Sequence, residues 1–394
     1  MKEYSLFRNL IIKYMDKKDI KVGIITIHGI CNYGSILQAF ALQEIIRTLG
    51  YDCKIINYKY PNDYHLNQMR LSKNVYAQQH INIGERIINK IFHYIEKDKF
   101  RNIIDNKFAE FRNTYLNLTI PYKTFDSINN CKEFDIYISG SDQIWNPRYC
   151  FNDPHYFLSW INDKKKISYA SSFGVQEITK NNLSIYNNYL HQYSSISVRE
   201  LSGIKILDSL GLHNTKLVCD PTLLLKSDDW KKFINKPIVK KKYILCYILS
   251  YTYNPYPYVD TFINYVERTS NRKIIFIDGK NINKLKPNRK VYKDVGPIEF
   301  LNLVYYCDLM ITTSFHGTAF AINFNKPVYS IIENNSNDER ITSLLNKVNM
   351  NNRLIKIGDK FPEEKELFIS QNTDIELQSF RFESLNFLKQ ALEK

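Results

Sequence analysis

The stretch that decides the fold is residues 21–60, KVGIITIHGICNYGSILQAFALQEIIRTLGYDCKIINYKY. It opens with KVGIITI, an apolar run typical of a buried strand, and continues through a polar loop that contains glycine. ILQAFALQEIIRTL then has the spacing of a helix and stops at Gly50, a residue type common just after helix C-termini. Because YDCKIINYKY is a second strand, the stretch predicts a βαβ unit with two parallel, buried strands.

Strands and helices alternate in two series along most of the remaining chain. An irregular, partly helical insertion at about residues 60–130 interrupts the first series, and the second series begins near residue 240. We therefore expect an α/β protein with two doubly wound, Rossmann-like domains. The predicted domains are residues 1–225 and residues 226–394, and the second ends in an amphipathic helix. The segment between Leu223 and Lys242 breaks the alternation and is predicted to hold the hinge.

The composition is that of a folded protein, with 394 residues of which 44% are hydrophobic and 24% are charged. This length is sufficient for two domains that each bury a core. Basic residues exceed acidic ones by 54 − 40 = 14, which favours anionic partners such as phosphates or the headgroups of an anionic membrane surface. A solvated, lysine-rich surface is the alternative explanation, and no pattern of a nucleic-acid-binding module is present in the sequence.

The cysteines and histidines predict neither disulfides nor a metal site. The seven cysteines are odd in number and widely spaced, without a CxxC pair, which favours reduced thiols. The histidines form no HxH or HxxxH pair. No stretch reaches the ~18 apolar residues of a membrane span, and no signal-peptide core is evident. We expect a cytoplasmic protein that can lie peripherally at the inner face of a membrane, and the sequence indicates no oligomeric state.

The loop GICNYGS, residues 29–35, places glycines and polar residues beyond a predicted strand. Ligands of open α/β sheets bind beyond the carboxyl ends of strands, so we expect a cleft between the domains at this level. Backbone N–H groups at a helix start suit an anion or a phosphate-linked sugar, although a turn that only caps the helix is the alternative. The residues expected to face the cleft and bind the acceptor are Asn32, Tyr33, Gly34, Ser35 and Gln38.

A second polar cluster, SGSDQIWNP at residues 139–147, follows another strand. Carboxylates and amides bind sugar hydroxyls, and an indole can pack on a sugar ring, so Asp142, Gln143, Trp145 and Asn146 predict a saccharide site. Asp142 can also accept a hydroxyl proton as a catalytic base. The alternative is an aspartate that caps a helix beside a core tryptophan.

Arg199 lies at the end of a third predicted strand, in SVRELSG. A guanidinium at this place can hold a carboxylate or a phosphate with paired N–H donors. A surface ion pair with Glu200 or another acidic residue is the alternative.

The segment TTSFHGTAF places His316 at a strand-to-helix turn. Ser314 can cap the helix there, and Gly317 lets the backbone come close to a ligand. A histidine at a strand end is a candidate general acid or base, although one that only fills the turn is the alternative. His28, at another strand end, and Cys31 are weaker candidates.

Six segments resemble the polysaccharide pyruvyltransferase family in order: NYGSILQAFAL, YISGSDQIWN, KISYASSFG, SVRE, CDPTLLL and ITTSFHGTAFAINFNKPVYSI. They span about residues 20–332. The resemblance implies a glycosyltransferase-B-like fold, in which two Rossmann-like domains face a central cleft. It also implies transfer of pyruvate from phosphoenolpyruvate, a co-substrate, to a sugar as a cyclic ketal, without a cofactor or metal. The acceptor would be a lipid-linked or nucleotide-linked saccharide on the N-terminal side, with the donor on the C-terminal side.

The resemblance also implies roles for individual residues. His316 would be the general acid or base, and Arg199 would hold phosphoenolpyruvate, with help from Lys326 after the helix. Some members carry an arginine two residues before this histidine, where this chain has Ser314. Either another basic group, such as Lys326 or Arg340, replaces it beside Ser314 and Gly317, or the donor differs. A nucleotide-sugar-dependent glycosyltransferase of the same fold and a non-catalytic glycan-binding protein remain alternatives.

Overall fold

The structure is a computed structural model that describes residues 17–76, 100–250, 253–277, 288–334, 339–371 and 373–393. Residues 77–99, which include the KIFHYIEKDK part of the predicted insertion, lie outside this range. The described part of the insertion forms helix α2 (Asp63–Tyr76) and helix α3 (residues 100–115). The partly helical character predicted for this region is therefore present in its described residues.

The N-terminal half is built on a parallel sheet with the order β2-β1-β3-β4. Isolated bridges add residues 118 and 122 beside β2 and its continuation, and connect β4 to the short pair β5-β6. If the segment at residues 118–122 is counted as a strand, the strands across the sheet are the third, second, first, fourth and fifth in chain order. This is the strand order of a Rossmann domain. The strands are β1 (Lys21–Ile25), β2 (Asp52–Ile55), β3 (Ile136–Ser139), β4 (Lys165–Ser168), β5 (Ser197–Val198) and β6 (Lys216–Leu217).

The helices of this half are α1 (Tyr33–Thr48), α2, α3, α4 (Lys180–Leu190) and α5 (Leu201–Ser209), and the short α6 (Pro221–Leu224) and α7 (Ser227–Lys231) follow. The predicted βαβ unit is confirmed, because Val22 of β1 pairs in parallel with Cys53 of β2. Helix α1 begins three residues earlier than the apolar spacing predicted. The Asn32 side chain accepts a hydrogen bond from the backbone N–H of Ser35, which satisfies a free donor of the first turn.

The C-terminal half repeats the same strand order in a six-stranded parallel sheet, β12-β11-β10-β7-β8-β9. Strands β9 and β12 were not predicted, since both are short and β9 begins with two basic residues. The strands are β7 (Tyr243–Tyr247), β8 (Lys273–Ile277), β9 (Arg289–Tyr292), β10 (Leu309–Thr312), β11 (Val328–Ile332) and β12 (Leu354–Lys356). The helices are α8 (Tyr258–Arg268), α9 (Pro297–Tyr306), α10 (Phe315–Asn323), α11 (Arg340–Lys347) and α12 (Asp374–Glu393). The expected fold of two Rossmann-like domains, the glycosyltransferase-B-like arrangement, is confirmed by this topology.

The two halves are held together by a shared core and by the terminal helix. One hydrophobic cluster contains Val22 of the first sheet and Met310 of the second. Helix α12 returns to the N-terminal half, where its Ser384 hydroxyl accepts from the Cys219 backbone N–H at 2.9 Å. Arg381 of the same helix donates to the Leu223 carbonyl. These contacts fix the carboxyl ends of both sheets relative to each other.

None of the seven cysteines, all of which lie in the described ranges, forms a disulfide bond in the structure. Across the described ranges, no three His, Cys, Asp or Glu side chains are placed to hold a metal ion. Nor does any helix in those ranges combine the length and apolarity needed to cross a membrane.

Candidate active site

A cavity opens between the two halves at the carboxyl ends of their strands, as expected for this topology. The N-terminal half contributes Asn32, Asp142, Gln143, Asn146, Arg148, Tyr149 and Gly174, and the C-terminal half contributes Leu249, Tyr253, Thr313, Ser314, Phe315, His316, Ile332, Glu333, Arg340 and Ile341. Polar and charged side chains from both halves therefore meet in one place, which suits a polar, charged ligand.

His316 lies in the first turn of α10 and lines the cavity. The helix starts two residues earlier than the sequence suggested, because the Ser314 hydroxyl accepts from the Gly317 backbone N–H at 3.3 Å. This cap orients the imidazole toward the N-terminal half. Its Nε2 atom lies 3.5 Å from Arg199 Nη1 and 3.6 Å from Asp220 Oδ2, so two charged groups of that half meet one edge of the ring.

Gly34 lets the two halves come this close. A Cβ atom added at Gly34 would lie 1.9 Å from His316 Nδ1, far inside van der Waals contact. The same Cβ would lie 2.3 Å from Cγ and 2.5 Å from Cε1 of the imidazole. These similar distances place Gly34 over the face of the ring, so the glycine is required for the packing of His316 on α1.

Arg199 joins two buried carboxylates, of which Asp142 lines the cavity and Asp220 lies beneath it. It donates from Nη1 to Asp220 at 2.7 Å and from Nη2 to Asp142 at 3.1 Å, and its side chain has no exposed surface. The predicted alternative of a surface pair with Glu200 is wrong, since the Glu200 side chain is also buried, 4.0 Å from Arg199 Nε. Arg199 does not line the cavity, so its expected direct contact with a donor is not seen in this structure.

The two carboxylates are held in their ionised form. Burial alone would raise the pKa of Asp142, but the charges of Arg199 and His316 and the Ser35 hydroxyl, which donates at 2.5 Å, bring it below its usual value. Burial likewise opposes ionisation of Asp220, whereas His316, Arg199 and the Thr222 backbone N–H lower its pKa further. A carboxylate with a lowered pKa is a weak base, so this network fits positioning better than proton abstraction by Asp142.

Glu200 shapes the neighbouring loop rather than pairing on the surface. Its Oε1 atom accepts from the backbone N–H groups of Phe173 and Gly174 at 2.8 and 3.2 Å. Gly174 has a positive φ of 60°, and a Cβ there would lie 2.1 Å from Gln143 Oε1. Gln143 in turn accepts from Asn146 Nδ2 at 2.8 Å. This packing holds two predicted acceptor-binding amides at the cavity wall.

Two arginines bring positive charge to the cavity itself. Arg340 begins helix α11, and its Cζ lies 5.9 Å from the centre of the Phe315 ring. The same ring lies 4.6 Å from Arg199 Cζ, so Phe315 is adjacent to both guanidinium groups. Arg148 is exposed in the loop that follows the SGSDQIWNP segment. These two cations can attract an anionic ligand at the cavity opening.

Five predicted site residues lie elsewhere, and one of them is Gly317, where an added Cβ would lie 2.6 Å from Thr312 Oγ1 rather than in the cavity. The Tyr33 ring packs between the halves, stacked on Phe300 with 4.5 Å between the ring centroids, and its hydroxyl donates to the Val295 carbonyl. Gln38 is buried against β1, where its amide donates to Thr26 Oγ1 at 2.9 Å. Trp145 stacks on Phe157 in the core and its indole N–H donates to the Tyr156 carbonyl. This agrees with the alternative given above, in which Trp145 is a core residue.

Lys326 is the fifth of these residues. It precedes β11, and its ammonium lies 5.5 Å from the centre of the Tyr305 ring at the end of α9. This is the amino edge of the parallel sheet, opposite the cavity. Since ligands meet the carboxyl edge, the structure corrects the expectation that Lys326 contacts a donor.

The contacts of the two weaker candidates, His28 and Cys31, also favour a structural role. His28 is buried, between the Thr26 carbonyl and the Asn57 side chain. The Cys31 thiol donates to the Asp105 carboxylate, and burial together with this bond raises the pKa of Cys31 to about 12. A thiol with such a pKa is a poor nucleophile at neutral pH.

Sequence reasoning missed Asp220 as a site residue. Its Oδ1 accepts from the Thr222 backbone N–H and hydroxyl, and its Oδ2 accepts from Ser141 and Arg199. The signal was available, because Asp220 ends the strand-like segment KLVCDP just before a proline, at the same sheet edge as Arg199. Arg148 carried no comparable signal, since it lies in a loop.

Several solved structures are similar in overall chain path. The UDP-GlcNAc 2-epimerase of Methanocaldococcus jannaschii, in complex with UDP-GlcNAc and UDP, matches with 15% identity over 93% of this chain and 99% of that chain, with a TM-score of 0.46. The UDP-N-acetylglucosamine 2-epimerase of Rickettsia bellii matches with 10% identity, 94% and 96% coverage and a TM-score of 0.46. Arabidopsis thaliana UGT89C1, in complex with UDP-L-rhamnose, matches with 10% identity, 93% and 98% coverage and a TM-score of 0.44.

The comparison with curated protein sequences gives no match. The sequence profile of one family, described as polysaccharide pyruvyl transferase, matches residues 32–336. This range contains Asp142, Arg199, Asp220 and His316, and it ends just before Arg340.

Proposed function

The chain belongs to the polysaccharide pyruvyl transferase family, and we propose that it moves pyruvate from phosphoenolpyruvate to a saccharide hydroxyl pair, forming a cyclic ketal. The observation that carries this proposal is the place of His316. The imidazole lines a cavity between two domains, is held at one edge by a buried charge network, and has cationic Arg340 and Arg148 around the same cavity. These are the groups that transfer from phosphoenolpyruvate requires: a proton donor and a site for anions.

The reaction needs one acid and one base in succession. Protonation of the methylene carbon of phosphoenolpyruvate makes the neighbouring carbon electrophilic, and a sugar hydroxyl oxygen then bonds to that carbon. The C–O bond to phosphate breaks, and the second hydroxyl closes the ketal. One hydroxyl proton restores the acid and the other leaves with hydrogen phosphate. His316 is the group that gives and regains the proton in this proposal, since a histidine can do both near neutral pH.

Arg340 and Arg148 are the residues proposed to bind the donor. Phosphoenolpyruvate carries a phosphate and a carboxylate, and guanidinium groups bind both with paired N–H donors. The first turn of α10, which Ser314 caps, adds backbone N–H groups with partial positive charge. Arg199 supports the site indirectly, because it holds Asp142 and Asp220 against the imidazole rather than reaching into the cavity.

The acceptor is proposed to lie against the N-terminal half. Asn32, Asp142, Gln143 and Asn146 line that wall, and Ser35 lies behind Asp142. Amides at such positions bind sugar hydroxyls. We propose a lipid-linked or nucleotide-linked saccharide of a surface polysaccharide as acceptor. The net charge of +14 would favour work at an anionic membrane surface.

The proposal is tested by phosphate release from phosphoenolpyruvate. Purified protein is incubated with phosphoenolpyruvate and lipid-linked or nucleotide-linked acceptors of galactose or mannosamine type, and products are examined by mass spectrometry for added pyruvate. We expect acceptor-dependent release of phosphate and a product with one ketal. His316→Gln should lower turnover by about 10²–10⁴-fold, the usual contribution of a general acid or base.

His28→Gln is the matched control, because His28 is buried away from the cavity. It should keep turnover close to that of the unchanged protein. Tight binding of a nucleoside diphosphate with no turnover of phosphoenolpyruvate would instead support a glycosyltransferase. Glycan binding without a product from either donor would support a binding protein.

A further inference from the structure

The loop of residues 148–152, which we call the cavity loop, brings Arg148 and Tyr149 to the cavity. It follows the SGSDQIWNP segment directly and consists of turns rather than of a regular helix or strand. Arg148 is one of the two arginines that line the cavity, and it is exposed. Because a long, exposed side chain is placed by the backbone that carries it, the contacts that hold this loop determine where the charge of Arg148 lies.

The end of the cavity loop has a backbone conformation that needs support from its surroundings. Phe151 and Asn152 are both left-handed, with φ angles of 52° and 56°. Asparagine adopts this conformation with little cost, whereas a bulky residue such as phenylalanine rarely does. Backbone strain of this kind persists only where neighbouring groups hold it, and it is concentrated at functional sites. The loop is therefore expected to have specific partners.

Two tyrosine hydroxyls from a distant segment are such partners. Tyr60 donates to the Tyr149 carbonyl at 2.9 Å, and Tyr64 donates to the Phe151 carbonyl at 2.7 Å. The tyrosines lie 89 and 87 residues before these carbonyls in the chain, so the fold and not the local turn forms both contacts. Burial raises the pKa of both tyrosines, to about 12 for Tyr64. Both hydroxyls therefore keep the proton that they donate.

The two tyrosines have fixed positions of their own. The Tyr64 ring stacks on Phe125 with 4.8 Å between the ring centroids, and the Asp63 carboxylate accepts from the Phe125 backbone N–H at 2.9 Å. The Tyr60 ring meets the His65 ring edge-on, with 4.6 Å between the centroids. The donors are thus in place before any ligand binds.

We propose that Tyr60 and Tyr64 are positioning residues that hold the cavity loop so that Arg148 can bind an anionic group of the donor. The proposal rests on the proposed function for the identity of that donor. Neither tyrosine lines the cavity, so each acts through the loop backbone and not by contact with a substrate. The Asn146 side chain accepts from the Arg148 backbone N–H at 2.8 Å and fixes the start of the loop. The tyrosines fix its centre and its end.

The first test needs no substrate. Tyr60→Phe and Tyr64→Phe each remove one hydroxyl and keep the ring, and hydrogen exchange of a peptide that covers the cavity loop is followed by mass spectrometry. The Cys150 backbone N–H, which donates to the Asn146 carbonyl at 2.9 Å, lies in this peptide and exchanges when the loop opens. We expect exchange in the peptide to become about fivefold faster in each variant, as for the loss of one neutral hydrogen bond.

Tyr265→Phe is the matched control for the exchange measurement. The Tyr265 hydroxyl also donates to one loop carbonyl, that of Pro362 at 2.8 Å, but in the C-terminal half and away from the cavity. Its removal should leave exchange in the cavity loop unchanged. If Tyr60→Phe and Tyr64→Phe behave like this control, the proposal is overturned, whatever the donor is.

The second test is a double-mutant cycle between Tyr64 and Arg148. Tyr64→Phe should raise the KM for phosphoenolpyruvate by about fivefold and leave kcat nearly unchanged, because a misplaced guanidinium weakens donor binding. In an Arg148→Met background the same change should have little further effect, since no guanidinium remains to be positioned. Equal effects of Tyr64→Phe with and without Arg148 would contradict the proposal. If the unchanged protein does not turn over phosphoenolpyruvate, the proposed function fails, and the exchange measurement decides the role of the tyrosines by itself.

Discussion

The two halves of the molecule build their shares of the cavity in different ways. In the N-terminal half, Arg199 joins Asp142 and Asp220 in a buried network of hydrogen-bonded charges, and of these three residues Asp142 also lines the cavity. In the C-terminal half, His316 and Arg340 lie in the first turns of helices and line the cavity. The buried network therefore positions groups, whereas the side chains that line the cavity, which in the N-terminal half include Asn32 and Arg148, can meet a substrate. This contrast separates residues whose loss should damage stability from residues whose loss should damage only binding.

The largest expected effect is the loss of stability in Arg199→Met, which removes the cation of the buried network. Without the guanidinium, Asp142 and Asp220 remain buried as carboxylates that lack their cation. Breaking a buried ion pair in this way costs about 3–5 kcal/mol of unfolding free energy. Chemical denaturation followed by circular dichroism measures the loss.

Arg47→Met is the control, because Arg47 forms a partly exposed pair with Glu44 at 3.1 Å. Such a pair contributes little, so its removal should leave the denaturation midpoint nearly unchanged. If Arg199→Met proved as stable as the control variant while KM for phosphoenolpyruvate rose, Arg199 would be a donor-binding residue and the contrast between the halves would fail.

The sequence was sufficient to predict that these residues meet. Parallel strands place their carboxyl ends at one edge, so Asp142, Arg199 and His316 could be assigned to one cleft although 57 and 117 residues separate Arg199 from the other two. The same rule would have found Asp220, and it would have excluded Lys326, which precedes its strand. Both errors come from not applying the rule to every strand end.

Other features could not be predicted from spacing. Tyr33 and Gln38 follow the right strand, but only the packing of α1 against β1 and α9 decides that their side chains are buried. Sequence spacing assigns a residue to a helix or a strand. The direction in which its side chain points, however, depends on neighbours that are far away in sequence. The approach of Gly34 to His316 joins the two halves and has no local signature in either segment.

Gly34→Ala tests how closely the halves must meet. The added methyl would lie 1.9 Å from Nδ1, so the imidazole must move away from its place against Asp220. We expect turnover to fall by about 100-fold, since displacement by about 1 Å can cost that much, while the fold is retained. Gly29→Ala is a close control in the same loop, because nothing lies within 4 Å of its added Cβ. Equal turnover in the two variants would show that the ring tolerates the shift.

The smallest expected effect is a change in KM that separates two cations: Arg340, which lines the cavity, and Lys326, which lies at the opposite edge of the sheet. Arg340→Met removes a guanidinium that lines the cavity, and we expect KM for phosphoenolpyruvate to rise by about tenfold, as for the loss of one charge-assisted contact. Lys326→Met removes a cation near Tyr305 and should leave KM unchanged. Steady-state kinetics of both variants over a range of donor concentrations gives the comparison, and a larger effect from Lys326→Met would place the donor on the opposite edge of the sheet.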